Sequence, residues 1–250
     1  MKAIENEKIR IINVDSPANL AGRALDIFVN QAKDAITARG VFYVAISGGS
    51  TPKALFELIG QTEESKFLPW NRIHLFWVDE RCVGLDSESC NYRLAAKTFL
   101  SKIMMPAKNI HRIEGENPDY VAAAGNYEET IRKVFSLDLT QLPKFDLIIL
   151  GMGSDGHIGS LLPNSYALFD TEDLVSVVYQ INGLDRITLT HPVFCAAAHL
   201  LVLISGSEKA EIVKDVFHGE PDEVKYPVHT LWPILDKVTW LIDSDAGKYL

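Results

Sequence analysis

The 250-residue sequence has little of what several classes of protein require. Its three cysteines, Cys82, Cys90 and Cys195, include no C-x-x-C pair, so we expect free thiols rather than a disulfide framework. Its seven histidines form no H-x-x-x-H or mixed Cys/His cluster, which argues against a metal site. An odd number of unpaired thiols is typical of a reducing compartment, so the sequence predicts a cytoplasmic protein.

Long hydrophobic runs and basic clusters are also missing. No stretch approaches the roughly 18 apolar residues of a membrane span, and the longest apolar segment, residues 193–204, is interrupted by His199. The first ten residues carry Glu5 and Glu7 without an apolar run, so no secretory signal is expected. The formal net charge is 24 − 33 = −9, and a nucleic-acid partner, which needs clustered cations, is not expected.

What the sequence does have is a series of short, unbroken apolar runs, the pattern of strands covered on both faces. These runs lie at residues 9–14, 41–46, 73–78, 145–150, 200–204 and 238–242. Segments with helical spacing lie between them, at residues 20–35, 92–103, 124–134 and 212–217. The alternation predicts one α/β domain over residues 1–250, with a mostly parallel central sheet and helices on both faces. Ligands of such sheets bind beyond the carboxyl ends of the strands, so the residues after each run are the functional candidates.

The run at residues 41–46 is followed by Ser47-Gly48-Gly49-Ser50-Thr51-Pro52 and then by a helical pattern. Two glycines permit a tight turn, Ser50 or Thr51 can cap the helix, and Pro52 suits its first turn. Free N–H groups and the positive helix pole would then face an anion, most simply a phosphate. The Walker A pattern is absent, and a plain strand-to-helix turn is the alternative.

The run at residues 73–78 is followed by Asp79-Glu80-Arg81. A carboxylate there could move protons and a guanidinium could bind an anion. Because three consecutive charges also suit a solvated loop with a local ion pair, that alternative stays open.

The run at residues 145–150 is followed by Gly151-Met152-Gly153-Ser154-Asp155-Gly156-His157, which contains G-x-G-x-x-G. A nicotinamide-dependent dehydrogenase would need a full helix there and a next strand ending in an acid. Pro163 leaves little room for that helix, and Gln180-Ile181-Asn182, after the apolar stretch at residues 175–179, contains no acid. We therefore expect the glycines to present His157 as a general base, with Asp155 or Asp79 fixing its tautomer. A structural histidine is the alternative.

Two further cations follow. Arg186 opens Arg186-Ile187-Thr188-Leu189, and Lys209 lies in Gly206-Ser207-Glu208-Lys209-Ala210. If Ser207 caps the last helix, Lys209 lies in its first turn, where the positive pole disfavours a cation by about 0.3–1 kcal/mol. A bound anion would remove that conflict, and a solvated lysine that tolerates the cost is the alternative. Since the whole chain is acidic, local groups must hold an anionic ligand, and a small phosphorylated substrate fits.

Five of these motifs occur in the order seen in the 6-phosphogluconolactonases, which are grouped with the glucosamine-6-phosphate deaminases/isomerases. The motifs are Ser47-Gly48-Gly49-Ser50-Thr51-Pro52, Asp79-Glu80-Arg81, Gly151-x-Gly153-x-Asp155-Gly156-His157, Arg186-Ile187-Thr188 and Gly206-x-x-Lys209. The resemblance covers about residues 15–243 and implies a modified Rossmann-like α/β domain. It also implies hydrolysis of 6-phosphoglucono-δ-lactone to 6-phosphogluconate in the oxidative branch of the pentose phosphate pathway, without a metal or nucleotide cofactor.

The resemblance suggests a role for each candidate residue. His157 would activate water, and Asp155 or Asp79 would hold its ring. Arg81 would face either the phosphate or the lactone oxygen. The phosphate would be bound by a set of loop residues and two cations, namely Ser47, Gly48, Gly49, Ser50, Thr51, Arg186 and Lys209.

Two local features separate the lactonases from the deaminases. Deaminases typically continue the histidine loop as G-H-I-A-F-N-E-P, whereas this chain has Gly156-His157-Ile158-Gly159-Ser160-Leu161-Leu162-Pro163, without an acid. Arg81 stands where deaminases usually have Tyr. Both favour hydrolysis; an amino-sugar phosphate deaminase and a non-catalytic sugar-phosphate binding protein are the alternatives. Residues 226–232 are bulkier than the family's small-residue stretch. The chain is expected to be a monomer or a weak homodimer.

Overall fold

The computed structural model describes residues 9–180 and 183–250. Residues 1–8 lie outside the described residues, and so does most of the segment for which no secretory signal is expected. Ile181 and Asn182 also lie outside them. The described residues contain seven α-helices: α1 (Pro17–Arg39), α2 (Ser50–Ile59), α3 (Glu63–Lys66), α4 (Asn91–Thr98), α5 (Tyr120–Phe135), α6 (His191–Ala196) and α7 (Ala210–His218). They also contain ten strands: β1 (Arg10–Val14), β2 (Phe42–Ile46), β3 (Ile73–Trp77), β4 (Asp79–Arg81), β5 (Ile110–His111), β6 (Leu147–Gly151), β7 (Val175–Val178), β8 (Arg186–Leu189), β9 (Leu200–Ile204) and β10 (Val238–Asp243).

The central sheet has seven strands in the order β1-β10-β9-β6-β2-β3-β5, and every neighbouring pair is parallel. All six apolar runs of the sequence lie in this sheet, so the predicted α/β class with a parallel central sheet is confirmed. Every residue of β9 and β10 is buried, which requires cover on both faces of the sheet. The carboxyl ends of β2, β3, β6 and β9 therefore meet at one edge, where the candidate loops begin.

A second, antiparallel sheet of three strands, in the order β4-β8-β7, was not predicted. Residues 79–81 are strand β4 rather than the solvated loop that was the alternative, and Asp79 and Glu80 are only 4% and 1% exposed. Val78 joins the two sheets, because its N–H donates to Ile46 O and its carbonyl accepts from Leu189 N. This connection places Asp79 beside the loop that follows β2.

The first long helix contains the helical pattern at residues 20–35, and its ends have a local cause. Ser16 caps α1 by accepting a hydrogen bond from Asn19 N at 3.2 Å, Pro17 occupies the first turn, and Gly40 ends the helix in the left-handed conformation (φ 77°). None of the helices in residues 9–180 and 183–250 is long and apolar enough to cross a membrane.

Three helix boundaries differ from the expectations. The cap of α2 is Gly49 (φ 112°), without a side-chain hydrogen bond, so neither Ser50 nor Thr51 caps it. The segment at residues 92–103 is not one helix, because α4 ends at Thr98 and Phe99 (φ −138°, ψ −35°) leads into a 3-10 turn. Ser207 does not cap α7 with its side chain; the 3-10 turn Ser207–Lys209 precedes that helix.

Candidate active site

A cavity of about 200 Å³ lies where the loops after β2, β3 and β6 meet. Every predicted site residue except Asp155 lines it, including His157, Lys209 and both arginines, Arg81 and Arg186. Two larger surface clefts, of about 860 and 920 Å³, contain none of those residues. Because the chemically reactive groups converge on the smaller cavity, we assign the candidate active site there.

The loop after β2 forms one wall. Its Ser47 N–H donates to Ile149 O at 3.0 Å, which joins the loop to the neighbouring strand β6. Gly49 then turns the chain with a φ of 112° that favours glycine, and the first N–H groups of α2 are left without intrahelical acceptors. The hydroxyl of Ser47 is buried without a hydrogen-bond partner among the described residues. Free donors therefore surround the cavity on this side, as an anion requires.

Strand β4 supplies a second wall. The Asp79 carboxylate accepts a hydrogen bond from Ser160 Oγ at 2.7 Å, so it is directed at that serine rather than at His157. Glu80 points to the other side and accepts from the backbone N–H groups of Arg81, Asn91 and Tyr92 at 2.7–2.8 Å. Burial raises the pKa of Glu80 and these N–H groups oppose the rise. Glu80 thus holds the first turn of α4 against β4.

Each arginine of the cavity has guanidinium N–H groups without a hydrogen-bond partner among the described residues. Arg81 Nη1 donates to Ser89 O at 2.9 Å and to Asn91 Oδ1 at 2.7 Å, and Arg186 Nη1 donates to Ser160 Oγ at 3.4 Å. The Nε atoms of both arginines are buried without a partner among the described residues. Burial also lowers the pKa of Arg186.

The loop after β6 presents the histidine. Gly153 N–H donates to His157 O at 2.8 Å, and Gly156 (φ 79°) closes the turn by donating to Gly153 O at 3.1 Å. Asp155 Oδ1 lies 2.6 Å from His157 Nδ1 and also accepts from His157 N at 3.2 Å. Burial raises the pKa of Asp155, but the hydrogen bond and charge of His157 outweigh it and lower that pKa to about 2. Since the carboxylate can then only accept, Nδ1 carries the hydrogen and Nε2 is free to accept a proton.

Lys209 completes the cavity from the end of β9. Its turn is fixed by Asp243, whose carboxylate accepts from Gly206 N at 3.2 Å and from the Ser205 hydroxyl. Among the ion pairs that the described residues form, none involves Lys209, Arg81 or Arg186. Three cations without an acidic partner in one cavity indicate a site for an anionic ligand.

Sequence reasoning missed several polar residues of the site. Asn91 lines the cavity, and Ser160 is fully buried between Asp79 and Arg186. Tyr226 packs against Gly156, and the next turn is joined to it because Val228 N–H donates to Gly156 O at 2.9 Å. The bulky stretch at residues 226–232 therefore supports the histidine loop. The unusual bulk of residues 226–232 was the only feature of the sequence that pointed to any of these contacts.

Comparisons with known proteins show which family and which fold the chain is similar to. The profile of the family described as glucosamine-6-phosphate isomerases/6-phosphogluconolactonase matches residues 15–240. A curated 6-phosphogluconolactonase of Nostoc sp. is 35% identical over 231 residues, which are 92% of this chain and 94% of that protein. A solved 6-phosphogluconolactonase from Trypanosoma cruzi has a TM-score of 0.83 at 27% identity, with 97% of each chain covered. A solved monomeric glucosamine-6-phosphate deaminase, at 20% identity, covers 97% of this chain and 100% of its own with a TM-score of 0.81, which shows the shared fold alone.

Proposed function

The chain belongs to the family of glucosamine-6-phosphate isomerases and 6-phosphogluconolactonases, and we propose that it hydrolyses 6-phosphoglucono-δ-lactone to 6-phosphogluconate in the pentose phosphate pathway. One observation carries the proposal. An oriented imidazole, His157 held by Asp155, borders the same small cavity as three cations without acidic partners. A small molecule with a phosphate ester and a hydrolysable carbonyl would place the phosphate against the three cations and the carbonyl against the imidazole.

The phosphate end of the substrate would lie against the loop after β2. The N–H groups of residues 48–51 and the Ser47 hydroxyl supply hydrogen bonds, and Lys209 and Arg186 supply charge. Arg81 belongs to the same end, because the Asn91 side chain that binds its Nη1 lies directly over Gly48.

The lactone carbonyl would lie next to His157. Nε2 takes a proton from water as the water oxygen bonds to the carbonyl carbon and the carbonyl π electrons move to oxygen. When the tetrahedral intermediate collapses, the bond to the ring oxygen breaks and the imidazolium returns its proton to that oxygen. Asp155 stabilises the imidazolium in between. General-base catalysis of this kind contributes about 10²–10⁴ in rate.

The proposal extends to the setting of the enzyme: a single catalytic domain over residues 1–250 acting in the cytoplasm, as a monomer or a weak homodimer that binds no nucleic acid. Three free cysteines support a reducing compartment, and the net charge of −9 supports the absence of a nucleic-acid partner. Analytical ultracentrifugation of the full chain would measure the oligomeric state.

The test is the disappearance of the lactone, corrected for its spontaneous hydrolysis, with wild type, His157→Gln and a surface control, His218→Gln. Wild type and the control should accelerate the reaction, whereas His157→Gln should lose at least about 10²-fold in kcat and still bind 6-phosphogluconate. Equal turnover by His157→Gln would remove the imidazole from the chemistry. Binding of 6-phosphogluconate without any acceleration by wild type would indicate a sensor, and ammonia release from glucosamine 6-phosphate would indicate a deaminase.

A further inference from the structure

We propose that Asn91 is a positioning residue that aims Arg81 at the phosphate, and that Gly48 lacks a side chain in order to make room for it. This inference rests on the proposed function for the identity of the anion. Asn91 is 2% exposed and opens α4, and its side chain connects β4 with the loop after β2.

Both polar atoms of the Asn91 side-chain amide bind the protein. Oδ1 accepts from Arg81 Nη1 at 2.7 Å, and Nδ2 donates to Asp79 O at 2.8 Å. The backbone N–H donates to Glu80 Oε1 at 2.7 Å, which fixes the base of the side chain. Because a flipped amide would place a donor against Arg81 and an acceptor against a carbonyl oxygen, only one orientation satisfies both partners. The side chain of Asn91 is therefore held in the one orientation that binds Arg81.

Two hydrogen bonds fix the orientation of the Arg81 guanidinium. The two hydrogens of Nη1 are used by Asn91 Oδ1 and by Ser89 O, at 2.7 and 2.9 Å. Among the described residues, neither Nε, which is buried, nor Nη2 has a hydrogen-bond partner. The Nε–Nη2 edge of a guanidinium pairs side-on with two oxygens of a phosphate. Holding Nη1 leaves that edge for the ligand.

Gly48 is explained by the same side chain. It is not among the glycines with positive φ, so its backbone conformation does not require glycine. A Cβ at this position would lie 1.8 Å from Asn91 Oδ1 and 2.3 Å from Asn91 Cγ. Any larger residue at position 48 would push the Asn91 amide away and release Arg81 Nη1. The glycine and the asparagine, which are 43 residues apart in the sequence, thus form one unit.

The experiment is a pair of double-mutant cycles, one with Asn91→Ala and Arg81→Met and one with Asn91→Ala and Gly48→Ala. The readouts are KM and kcat for the lactone, and calorimetric affinities for 6-phosphogluconate and gluconate. Thr98→Ala is the matched control, because Thr98 is a buried residue of the same helix whose Oγ1 donates to Leu94 O at 2.7 Å, outside the cavity.

Asn91→Ala should weaken 6-phosphogluconate binding and raise KM by about tenfold, the value of one charge-assisted hydrogen bond. kcat should change little and gluconate binding should stay the same. The Arg81→Met/Asn91→Ala protein should bind 6-phosphogluconate as well as Arg81→Met alone. Gly48→Ala should reproduce the loss, and the Gly48→Ala/Asn91→Ala protein should be no worse than the poorer single variant. Thr98→Ala should lower the melting temperature without changing KM.

Unchanged affinity in Asn91→Ala, or an additive loss with Arg81→Met, would overturn the inference. An additive loss with Gly48→Ala would refute the role given to that glycine. If Asn91→Ala does not fold, Gly48→Ala is the deciding variant, because it displaces the Asn91 amide and keeps every polar group. Unchanged affinity of Gly48→Ala for 6-phosphogluconate would then overturn the inference. A wild type that binds 6-phosphogluconate but hydrolyses no lactone would refute the proposed function alone, because the binding cycles still test Asn91.

Discussion

Replacing Gly153 by alanine should disable the histidine while leaving the fold intact. Gly153 is not among the glycines with positive φ, so alanine fits its backbone. The added Cβ would lie 2.2 Å from His157 Nδ1, 2.3 Å from His157 Cε1 and 2.5 Å from Asp155 Oδ1. Those distances are far below a van der Waals contact, so both side chains must leave their positions. Asp155 is half exposed, which lets the pair swing towards solvent rather than disrupt the core.

The size of the effect follows from what the pair contributes. Losing an oriented general base costs about 10²–10⁴ in rate, which is about 3–5 kcal/mol in the barrier. We expect kcat for the lactone to fall by at least about 10²-fold. KM should stay within about threefold, since the groups assigned to the phosphate are not displaced. The melting temperature should change by only a few degrees, because the displaced side chains bury little surface.

The assay is steady-state lactone hydrolysis, with the spontaneous rate subtracted, together with a thermal melt. Gly22→Ala is the control for the substitution itself, because a Cβ at that position in α1 meets nothing within 4 Å. That variant should be as active as wild type and slightly more stable. If Gly153→Ala retained wild-type kcat, the His157–Asp155 pair would not take part in the chemistry.

Two further predictions concern other parts of the molecule. Lys209→Met keeps the length of the side chain and removes its charge, so KM for the phosphorylated lactone should rise about tenfold in steady-state kinetics; an equal rise for an unphosphorylated lactone would contradict its role at the phosphate end. His111 Nε2 lies 2.9 Å from His74 Nδ1, and burial together with His74 lowers the pKa of His111 from 6.5 to about 4. Between those pH values the imidazole is protonated in the unfolded chain and not in the folded chain, so the stability of the fold should decrease as pH falls from about 6.5 to about 4. The melting temperature of His111→Gln should fall less steeply than that of wild type over this interval, and an equal fall in both proteins would refute the prediction.

Most of the central sheet could be predicted because its inner strands are buried on both faces. A strand such as β9, Leu200–Ile204, must then be apolar at every position, and an unbroken run is visible in one sequence. In the second sheet only β7, Val175–Val178, had such a signal, the apolar stretch at residues 175–179. Its strand β4 consists of three charged residues, and its pairing partner β8 lies about a hundred residues further along, with Asp79 opposite Thr188. Long-range pairing, and not local pattern, makes these segments strands.

The site was predictable to the extent that it follows strands. Loops after parallel strands meet at one edge, so Ser47, Arg81 and His157 could be placed together before the structure was known. The choice between Asp155 and Asp79 could not be made, since both follow strands that end at that edge. It depends on side-chain direction: Asp79 binds Ser160 Oγ at 2.7 Å, whereas Asp155 lies 2.6 Å from the imidazole. Spacing in a sequence does not encode that direction.

Four glycines of the two signature loops, Gly48, Gly49, Gly153 and Gly156, satisfy two different physical demands. Gly49 and Gly156 have φ values of 112° and 79°, so their backbones require glycine. Gly48 and Gly153 have no such φ, yet a Cβ on either would collide with a polar side chain of the site, Asn91 in the first loop and the imidazole in the second. Each loop therefore pairs one glycine that turns the chain with one that admits a functional group. A search for turns alone would explain Gly49 and Gly156, whereas Gly48 and Gly153 identify which side chains the site must hold in place.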